Sequence, residues 1–217
     1  MNIQKNLDTL KNSIPKEITL IAVSKTKSIK EILLAYNHGH KIFGENKIQE
    51  MTSKWETLPK DIEWHMIGHV QRNKVKYMAP YVSMIHGVDS LKLLKEINKQ
   101  GKNNNRCINC LIQIRIADES SKFGMNRSEL EELYENLKYN QYKYVKICGL
   151  MGMATNTVDG FKIYKEFEHL KSLYNEFKNK FSSFNYLSMG MSADYKIAID
   201  LGSNMIRVGS KIFGVRN

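Results

Sequence analysis

A lysine that directly follows an apolar segment is the first residue of this sequence with the type and position to do chemistry. In LIAVSKTKS, residues 20 to 28, the apolar residues end at Val23, and Lys25 and Lys27 follow. An amine held at the end of a strand is partly desolvated, which favours its neutral, nucleophilic form. Such an amine forms Schiff bases with carbonyl compounds, including aldehyde cofactors. Because the chain has 33 Lys and Arg residues, Lys25 taken alone fits a solvated surface lysine better, and its assignment depends on partners elsewhere.

Two segments that contain glycine and serine supply such partners near the C-terminus. SMGMS, residues 188 to 192, ends in Ser192, and RVGSKIFG, residues 207 to 214, contains Gly209 and Ser210. Glycine lets a backbone approach a ligand closely, and serine hydroxyls donate hydrogen bonds. Two such loops after adjacent strands are typical of the place where many parallel barrels hold a phosphate. With the lysine, they predict a site for a phosphorylated aldehyde.

The elements that must position these residues are predicted from apolar periodicity. Short apolar runs predict eight strands, and Ile3, Leu7, Leu10 and Ile14 predict an N-terminal helix over residues 2 to 14. The predicted strands are ITLIAVS (18 to 24), HKIFGE (40 to 45), IEWHMIG (62 to 68), VSMIHGV (82 to 88), INCLIQIRI (108 to 116), YVKICGLMGM (144 to 153), FNYLSMG (184 to 190) and NMIRVG (204 to 209).

Amphipathic helical segments alternate with these strands, and SIKEILLAYNHG, residues 28 to 39, is an example in which Gly39 suits a C-terminal cap. The alternation favours an α/β fold that consists of one closed parallel (β/α)8 TIM-like barrel with an extra N-terminal helix. An open doubly wound sheet is the alternative. Active sites of the barrel lie at the carboxyl ends of its strands. The polar residues predicted there are Lys25, Glu45, Asn46, His69, Asp89, Asp118, Ser192 and Arg207.

Composition limits the class of protein. The chain has 217 residues, 42% of them hydrophobic, which fits one large domain. It has no apolar run of membrane-spanning length and only three cysteines, so we expect a soluble, cytoplasmic protein without disulfides. Its 33 basic and 22 acidic side chains give a net charge of 33 − 22 = +11. The lysines are spread along the chain, which favours a solvated surface over a nucleic-acid interface.

Two other motifs suggest metal or redox chemistry only weakly. In CINC, residues 107 to 110, the two cysteines of a strand would point to opposite faces. His65 and His69 have the spacing of zinc ligands on a helix, but the segment lacks the glutamate of HExxH and reads as the end of a strand. No metal site is therefore predicted.

Seven motifs follow one another along the chain: AVSKTK, FGEN followed by IQE, EWHMIGHVQRNK, SKFG, GLMGM, LSMGMSAD and IRVGSKIFG. In this order they resemble the pyridoxal phosphate homeostasis proteins, which are short relatives of the alanine racemase barrel. The resemblance implies a barrel of the alanine racemase N-terminal domain type over residues 1 to 217. In this arrangement, residues 1 to 17 form a helix and linker packed on the barrel. It also implies that pyridoxal 5′-phosphate (PLP) is the cofactor.

The resemblance assigns a role to each site residue. Lys25 would carry PLP as an internal aldimine, with Lys27 as a neighbour, and Asn46 would line the pocket. Ser192, Gly209 and Ser210 would hold the phosphate, and Arg207 would face the pyridine nitrogen. Ser28 is a departure, because the family usually has proline at this position, and it affects how the chain enters the first helix of the barrel.

Two classes of function stay open from the sequence, with nucleic-acid binding as a third. The resemblance implies a non-catalytic carrier and buffer of PLP that meets apo PLP enzymes transiently. The alternative is a PLP-dependent amino-acid enzyme such as a racemase. Racemases of this type add a β-domain that supplies a tyrosine, for which we expect no room before Asn217. We therefore expect a monomer without efficient catalysis.

Overall fold

The strands form a closed parallel barrel in the computed structural model, which describes residues 2–117, 123–181 and 183–214. Within these ranges eight strands pair in sequence order, and β8 pairs with β1 to close the sheet. The strands are β1 (Thr19–Val23), β2 (Ile42–Glu45), β3 (Glu63–Met66), β4 (Met84–Val88), β5 (Ile108–Ile114), β6 (Val145–Gly152), β7 (Tyr186–Met191) and β8 (Met205–Val208). The predicted (β/α)8 barrel is confirmed, and the open doubly wound sheet is wrong.

Helices follow the strands and cover the outside of the barrel. They are α1 (Ile3–Asn12), α2 (Ile29–Asn37), α3 (Ile48–Thr57), α4 (Val75–Met78), α5 (Leu91–Asn103), α6 (Arg127–Tyr139), α7 (Gly160–Lys178), α8 (Tyr195–Asp200) and α9 (Ser210–Phe213), and a 3-10 turn spans Arg72–Lys74. Within the described part of the chain, no helix combines the length and the apolar character needed to cross a membrane.

Local signals set the ends of α2, the helix that follows the candidate lysine. Ser28 is the N-cap: its hydroxyl accepts from the Glu31 amide, and the Glu31 carboxylate accepts from the Ser28 amide. This reciprocal capping box replaces the pre-set backbone angle that proline would provide. Gly39 follows the helix with φ +82°, a conformation that glycine adopts without strain. The capping box at Ser28 therefore fixes where α2 begins after Lys25.

The interior of the barrel changes from apolar to polar along the strands. Successive side chains of a strand point to opposite sides, so Ile206 of β8 packs in the large cluster with the helices, whereas Met205 points into the barrel. The inner apolar cluster consists of Ile21, Met84, Leu111, Cys148, Met151 and Met205. The next inward positions are Arg207 on β8 and His86 on β4, both buried. The inner apolar cluster therefore closes the barrel interior toward the amino ends of the strands, and the polar groups lie toward their carboxyl ends.

The N-terminal helix α1 packs outside the barrel, beside α2 and α9. Its buried face consists of Ile3, Leu7 and Leu10. Asn6 Nδ2 donates a hydrogen bond of 3.0 Å to the Ile212 carbonyl oxygen in α9. This contact fixes the helix that begins at Ser210.

Three buried histidines are held neutral. His40 is 5% exposed, and burial lowers its pKa to about 4. His65 and His86 lie inside the barrel, where burial lowers the pKa of His65 to about 3 and that of His86 well below its ordinary range. Protonating any of them in the folded protein would place a charge in a medium of low polarity.

We expect the free energy of unfolding to decrease as the pH falls below about 6.5. The unfolded chain takes up these protons near pH 6.5, whereas folded His40 takes up its proton only near pH 4. Each such histidine makes unfolding easier by about 1.4 kcal/mol per pH unit across that window, and its full contribution is present above pH 6.5. Urea unfolding of His40→Asn between pH 6 and 4.5 should show a slope smaller by roughly that amount.

The exposed position His169 on α7 provides the control variant, His169→Asn. Equal slopes for His40→Asn and the parent protein would contradict the expectation.

Candidate functional site

The two predicted serine and glycine loops meet at the carboxyl end of the barrel. The Gly209 amide donates a hydrogen bond of 3.2 Å to Ser192 Oγ, so the loop after β7 contacts the start of α9. Ser192 and Gly209 are half-buried, and Ser210 is exposed. A Cβ on Gly209 would lie 3.1 Å from the carbonyl oxygen of Val23, at the end of β1. The close approach of β1 and β8 therefore places the segment that carries Lys25 beside this loop pair.

The conformation of the loop after β7 depends on Gly190 and Asp194. Gly190 has φ +97°, and a Cβ there would lie 2.6 Å from the Ala198 Cβ atom and 2.9 Å from the Tyr195 Cα atom. Only glycine allows α8 to pack this close to β7. Asp194 is buried, and its Oδ1 accepts a hydrogen bond of 2.5 Å from the Met191 amide. These two residues fix the loop that presents Ser192.

Arg207 is buried at the polar end of the barrel interior. Its Nη1 donates to Ser188 Oγ at 2.6 Å and to the Ser188 carbonyl at 3.0 Å, and its Nη2 donates to the Gly152 carbonyl at 3.0 Å. Burial lowers the pKa of Arg207 to about 10, although the Asp194 carboxylate raises it in part. The side chain is therefore a cation at neutral pH. With Nη1 and Nη2 engaged by β6 and β7, Nε is the guanidinium nitrogen without a hydrogen bond to a described residue.

A chain of hydrogen bonds supports Arg207 from across the barrel. Ser188 Oγ lies 3.4 Å from His86 Nδ1, and His86 Nε2 lies 3.0 Å from His65 Nδ1. Arg207 donates to the Ser188 hydroxyl, and the donor and acceptor roles further along the chain depend on the tautomers of His86 and His65. Burial keeps both imidazoles neutral, so each ring has one donor and one acceptor nitrogen. The chain fixes the guanidinium position without adding a second charge.

Lys25 occupies a tight turn immediately after β1. The Lys27 amide donates to the Ser24 carbonyl at 3.0 Å, which closes a four-residue turn around Lys25 and Thr26. Thr26 has φ +66°, in the left-handed region where a β-branched residue is strained by about 1 to 2 kcal/mol. Lys25 itself is half-buried. A strained turn at this point requires interactions that hold it in place.

An ionic network under the turn supplies those interactions. Lys54 Nζ donates to three oxygens: the Ser24 carbonyl at 2.8 Å, Glu45 Oε1 at 2.8 Å and Glu50 Oε1 at 2.6 Å. Ser24 Oγ also donates to Glu45 Oε1 at 2.6 Å, and the Thr26 amide donates to Glu50 Oε1 at 2.6 Å. We call these five residues, Ser24, Thr26, Glu45, Glu50 and Lys54, the turn network.

The two carboxylates of the turn network differ in environment. Burial raises the pKa of Glu45, although Lys54 and Ser24 oppose this effect. Burial would also raise the pKa of Glu50, but the hydrogen bonds from Lys54 and the Thr26 amide lower it below its ordinary value. Glu45 Oε2 is buried without a partner among the described residues. Lys54 is therefore the cation that compensates two neighbouring carboxylates.

A search of the sequence for polar residues at the ends of strands does not find Lys54, because Lys54 lies within a helix. Its signal is nevertheless present: Lys54 falls on the buried face of α3 with Ile48 and Met51. A charged residue on the apolar face of an amphipathic helix indicates a buried partner. Glu50, four residues earlier, is in the favourable orientation for such a pair.

Lys27 points away from the candidate site. Its Nζ donates to the Phe213 carbonyl at 3.1 Å, at the end of α9, and forms an ion pair of 3.4 Å with Glu31. These contacts hold its ammonium on the outer side of the turn. The second lysine of AVSKTK thus has a structural partner of its own.

Asn46 lies beside a different opening at the rim. A Cβ on Gly68 would lie 2.4 Å from the Asn46 carbonyl oxygen, so Gly68 allows the loops after β2 and β3 to touch. A cavity of about 480 Å³ between these loops is lined by Asn46, Lys47, Glu50, His69, Gln71 and Lys74. Of the six predicted site residues, Asn46 is the one that lines this cavity.

The remaining rim residues form a separate contact. His69 Nδ1 lies 3.1 Å from Asp89 Oδ2, and the His69 ring stacks on Phe123 with ring centroids 3.7 Å apart. Asp118 lies outside the described residues. The loops after β3 and β4 therefore meet at the rim as the barrel predicts.

The motifs that suggested metal chemistry have other roles. His65 bonds His86 inside the barrel, whereas His69 contacts Asp89 at the rim. Cys107 is exposed before β5, and Cys110 is buried within it. Over the described ranges, no three His, Cys, Asp or Glu side chains group to hold a metal ion.

Comparison with known proteins identifies the family. The model of the alanine racemase N-terminal domain matches residues 1–217. The chain is 34% identical to the pyridoxal phosphate homeostasis protein of Vibrio alginolyticus, over 100% of this chain and 98% of the relative. It is 36% identical to the protein of that name from Aquifex aeolicus, over 91% of this chain and 86% of the relative.

Solved structures agree with this result. PipY from Synechococcus elongatus is 30% identical, with TM-scores of 0.92 without PLP and 0.88 with PLP bound, over 98% of this chain and 100% of PipY. An alanine racemase from Clostridium difficile shares the fold at 17% identity and a TM-score of 0.83, over 99% of this chain and 60% of the racemase. The chain with the Lys25 turn, the Ser192–Gly209 contact and the buried Arg207 therefore belongs to the family of pyridoxal phosphate homeostasis proteins.

Proposed function

We propose that this protein binds PLP at the carboxyl end of the barrel and serves PLP homeostasis as a carrier and buffer. The observation that supports this most directly is the meeting of three loops: the Lys25 turn after β1, the Ser192 loop after β7 and the Gly209–Ser210 segment after β8. The name of the relatives and the PLP-bound structure of PipY point to the same cofactor.

The donor set fits each part of PLP. Ser192, Gly209 and Ser210 offer hydroxyls and an amide for a phosphate, and a Cβ at Gly209 would be in tight contact with Val23, 3.1 Å from its carbonyl oxygen. Arg207 offers Nε–H, which suits an unprotonated ring nitrogen as acceptor. Lys25 offers an amine for the aldehyde. The resemblance also assigns Asn46 to the pocket, whereas in the structure Asn46 lines the separate cavity between the loops after β2 and β3.

PLP supplies an aldehyde and an electron-withdrawing ring, and Lys25 would condense with the aldehyde and release one water. Arg207 would keep a positive charge beside the ring nitrogen, which disfavours its protonation. An unprotonated ring withdraws electrons from a bound amino acid less strongly than a protonated one. The protein would therefore hold the cofactor while subduing its chemistry.

The exposure of the site suits exchange rather than permanent retention. Lys25, Ser192 and Gly209 are half-buried and Ser210 is exposed, so an incoming amine can reach the rim. Racemisation needs an acid or base on each face of the α-carbon. Lys25 would serve one face, and we assign no residue to the other. The partners would be apo PLP enzymes met transiently.

We expect Lys25 to be the residue that carries the cofactor. Borohydride reduction of the protein incubated with PLP, followed by peptide mapping, should place the pyridoxyl group on Lys25. Lys25→Ala should abolish the adduct, whereas Lys27→Ala should retain it because Lys27 is bonded to Phe213 and Glu31. An adduct on Lys27 alone would refute the assignment.

We expect the phosphate to contribute a large share of the affinity. A charge-assisted hydrogen bond contributes about 1.5 to 3 kcal/mol, so pyridoxal without phosphate should bind at least roughly tenfold more weakly than PLP. Ser192→Ala should weaken PLP binding by a similar factor and leave pyridoxal binding nearly unchanged. Ser172→Ala, at an exposed position on α7, is the control. Equal affinities for the two vitamers, measured by fluorescence titration, would exclude these residues as the phosphate site.

We expect the loaded protein to reactivate an apo PLP enzyme without racemising amino acids at an enzymatic rate. The experiment follows recovered enzyme activity and the chiral purity of added amino acids in parallel samples, with Lys25→Ala as the control for bound cofactor. Rapid turnover of a single enantiomer would favour the amino-acid enzyme instead. Failure to reactivate any apo-enzyme would exclude the carrier role.

A further inference from the structure

We propose that Lys54 is a positioning residue: it fixes the turn on which Lys25 stands and so presents the Lys25 amine to PLP. The consequence for PLP rests on the proposed function, whereas the effect on the turn does not. The inference follows from the turn network, of which Lys54 is the centre.

Lys54 connects three separate segments of the barrel. Its three N–H donors are fully used by the Ser24 carbonyl after β1, Glu45 at the end of β2 and Glu50 on its own helix α3. With 7% of its side chain exposed, this ammonium cannot exchange those acceptors for water. Movement of the turn relative to β2 or α3 would break at least one of these charge-assisted bonds.

Glu50 connects Lys54 to Thr26, the residue after Lys25. The same Oε1 atom accepts from Lys54 Nζ and from the Thr26 amide, both at 2.6 Å. Thr26 makes this hydrogen bond while its backbone is in the left-handed region, with φ +66°. The cation thus holds a carboxylate, and the carboxylate holds a backbone conformation that threonine otherwise disfavours.

Lys25 stands between the two anchored peptide groups. The Ser24 carbonyl on one side accepts from Lys54, and the Thr26 amide on the other side donates to Glu50. Fixing both neighbours sets the direction in which the Lys25 side chain leaves the backbone. An amine that must meet an aldehyde at a defined place depends on this direction.

The test compares Lys54→Met with a matched control at the surface. Methionine keeps most of the side-chain volume but removes the charge and all three donors. The control is Lys41→Met, which breaks the exposed ion pair of Lys41 with Asp61, 2.6 Å long in the parent protein. Two quantities are measured: amide hydrogen exchange at Thr26 without PLP, and the affinity for PLP.

For Lys54→Met we expect exchange at Thr26 to become at least roughly tenfold faster and PLP binding at least roughly tenfold weaker, as for the loss of a charge-assisted bond. Exchange in distant strands such as β5 should stay unchanged. Lys41→Met should alter neither quantity. A folded Lys54→Met protein with parental exchange at Thr26 and parental affinity would overturn the inference.

Glu50→Ala decides the question if Lys54→Met does not fold, since the Glu50 side chain is 25% exposed and its removal leaves Lys54 paired with Glu45. This variant should speed exchange at Thr26 in the same way. The added change Thr26→Gly should restore part of the PLP affinity, because glycine adopts the positive φ without help. Unchanged exchange in Glu50→Ala would refute the inference.

If the proposed function is wrong, the adduct on Lys25 and the exchange at Thr26 change independently. If the parent protein forms no adduct on Lys25, while Lys54→Met still speeds exchange at Thr26, the cofactor assignment is wrong and the role of Lys54 in the turn stands. If Lys25 carries PLP in the parent and in Lys54→Met alike, with equal exchange, the cofactor assignment stands and the positioning role is wrong.

Discussion

Closure of the sheet between β1 and β8 is the constraint on which the candidate site depends. The pairing of Ala22 with Val208 places the first and last strands side by side, although 186 positions separate them in the sequence. It brings the Lys25 turn next to Gly209, which in turn contacts Ser192. An open sheet would leave these segments at opposite edges. The chemistry proposed for the protein therefore exists only in the closed barrel.

The protein buries polar groups in two places, inside the barrel around Arg207 and between the strands and α3 around Lys54, and it compensates them differently. Around Arg207, the neutral acceptors of Ser188 and Gly152 satisfy a single cation, and the two uncharged histidines extend the chain from Ser188. Below the Lys25 turn, Lys54 compensates two carboxylates. Buried ion pairs often add little to stability, because desolvation offsets their attraction. The benefit of the two networks is geometric: the one around Arg207 fixes the guanidinium, and the one around Lys54 fixes the turn of Lys25, whose amine would face PLP.

Fold alone does not distinguish this protein from an amino-acid enzyme, since the same barrel occurs in alanine racemases. The distinction depends on the site. In the proposed function, the Arg207 cation beside the ring nitrogen would subdue the cofactor, and the half-exposed rim would let it leave. The tight positioning proposed for Lys25 would be compatible with both properties, because a fixed amine would speed capture of the aldehyde without preventing attack by another amine.

The sequence by itself determined the order and type of the strands, because apolar runs of strand length separated by amphipathic helices have few solutions other than a parallel barrel. It also predicted polar residues at the rim, and the described ones lie at or near the carboxyl ends of the strands. It did not reveal Lys54 or the His65–His86–Ser188 chain, nor the contact between Ser192 and Gly209. These depend on side chains from strands and helices far apart in the sequence, and only the closed tertiary structure sets the distances between them. The apolar periodicity of the sequence indicates which face of a helix or strand is buried. Tertiary packing decides which residue contacts that face.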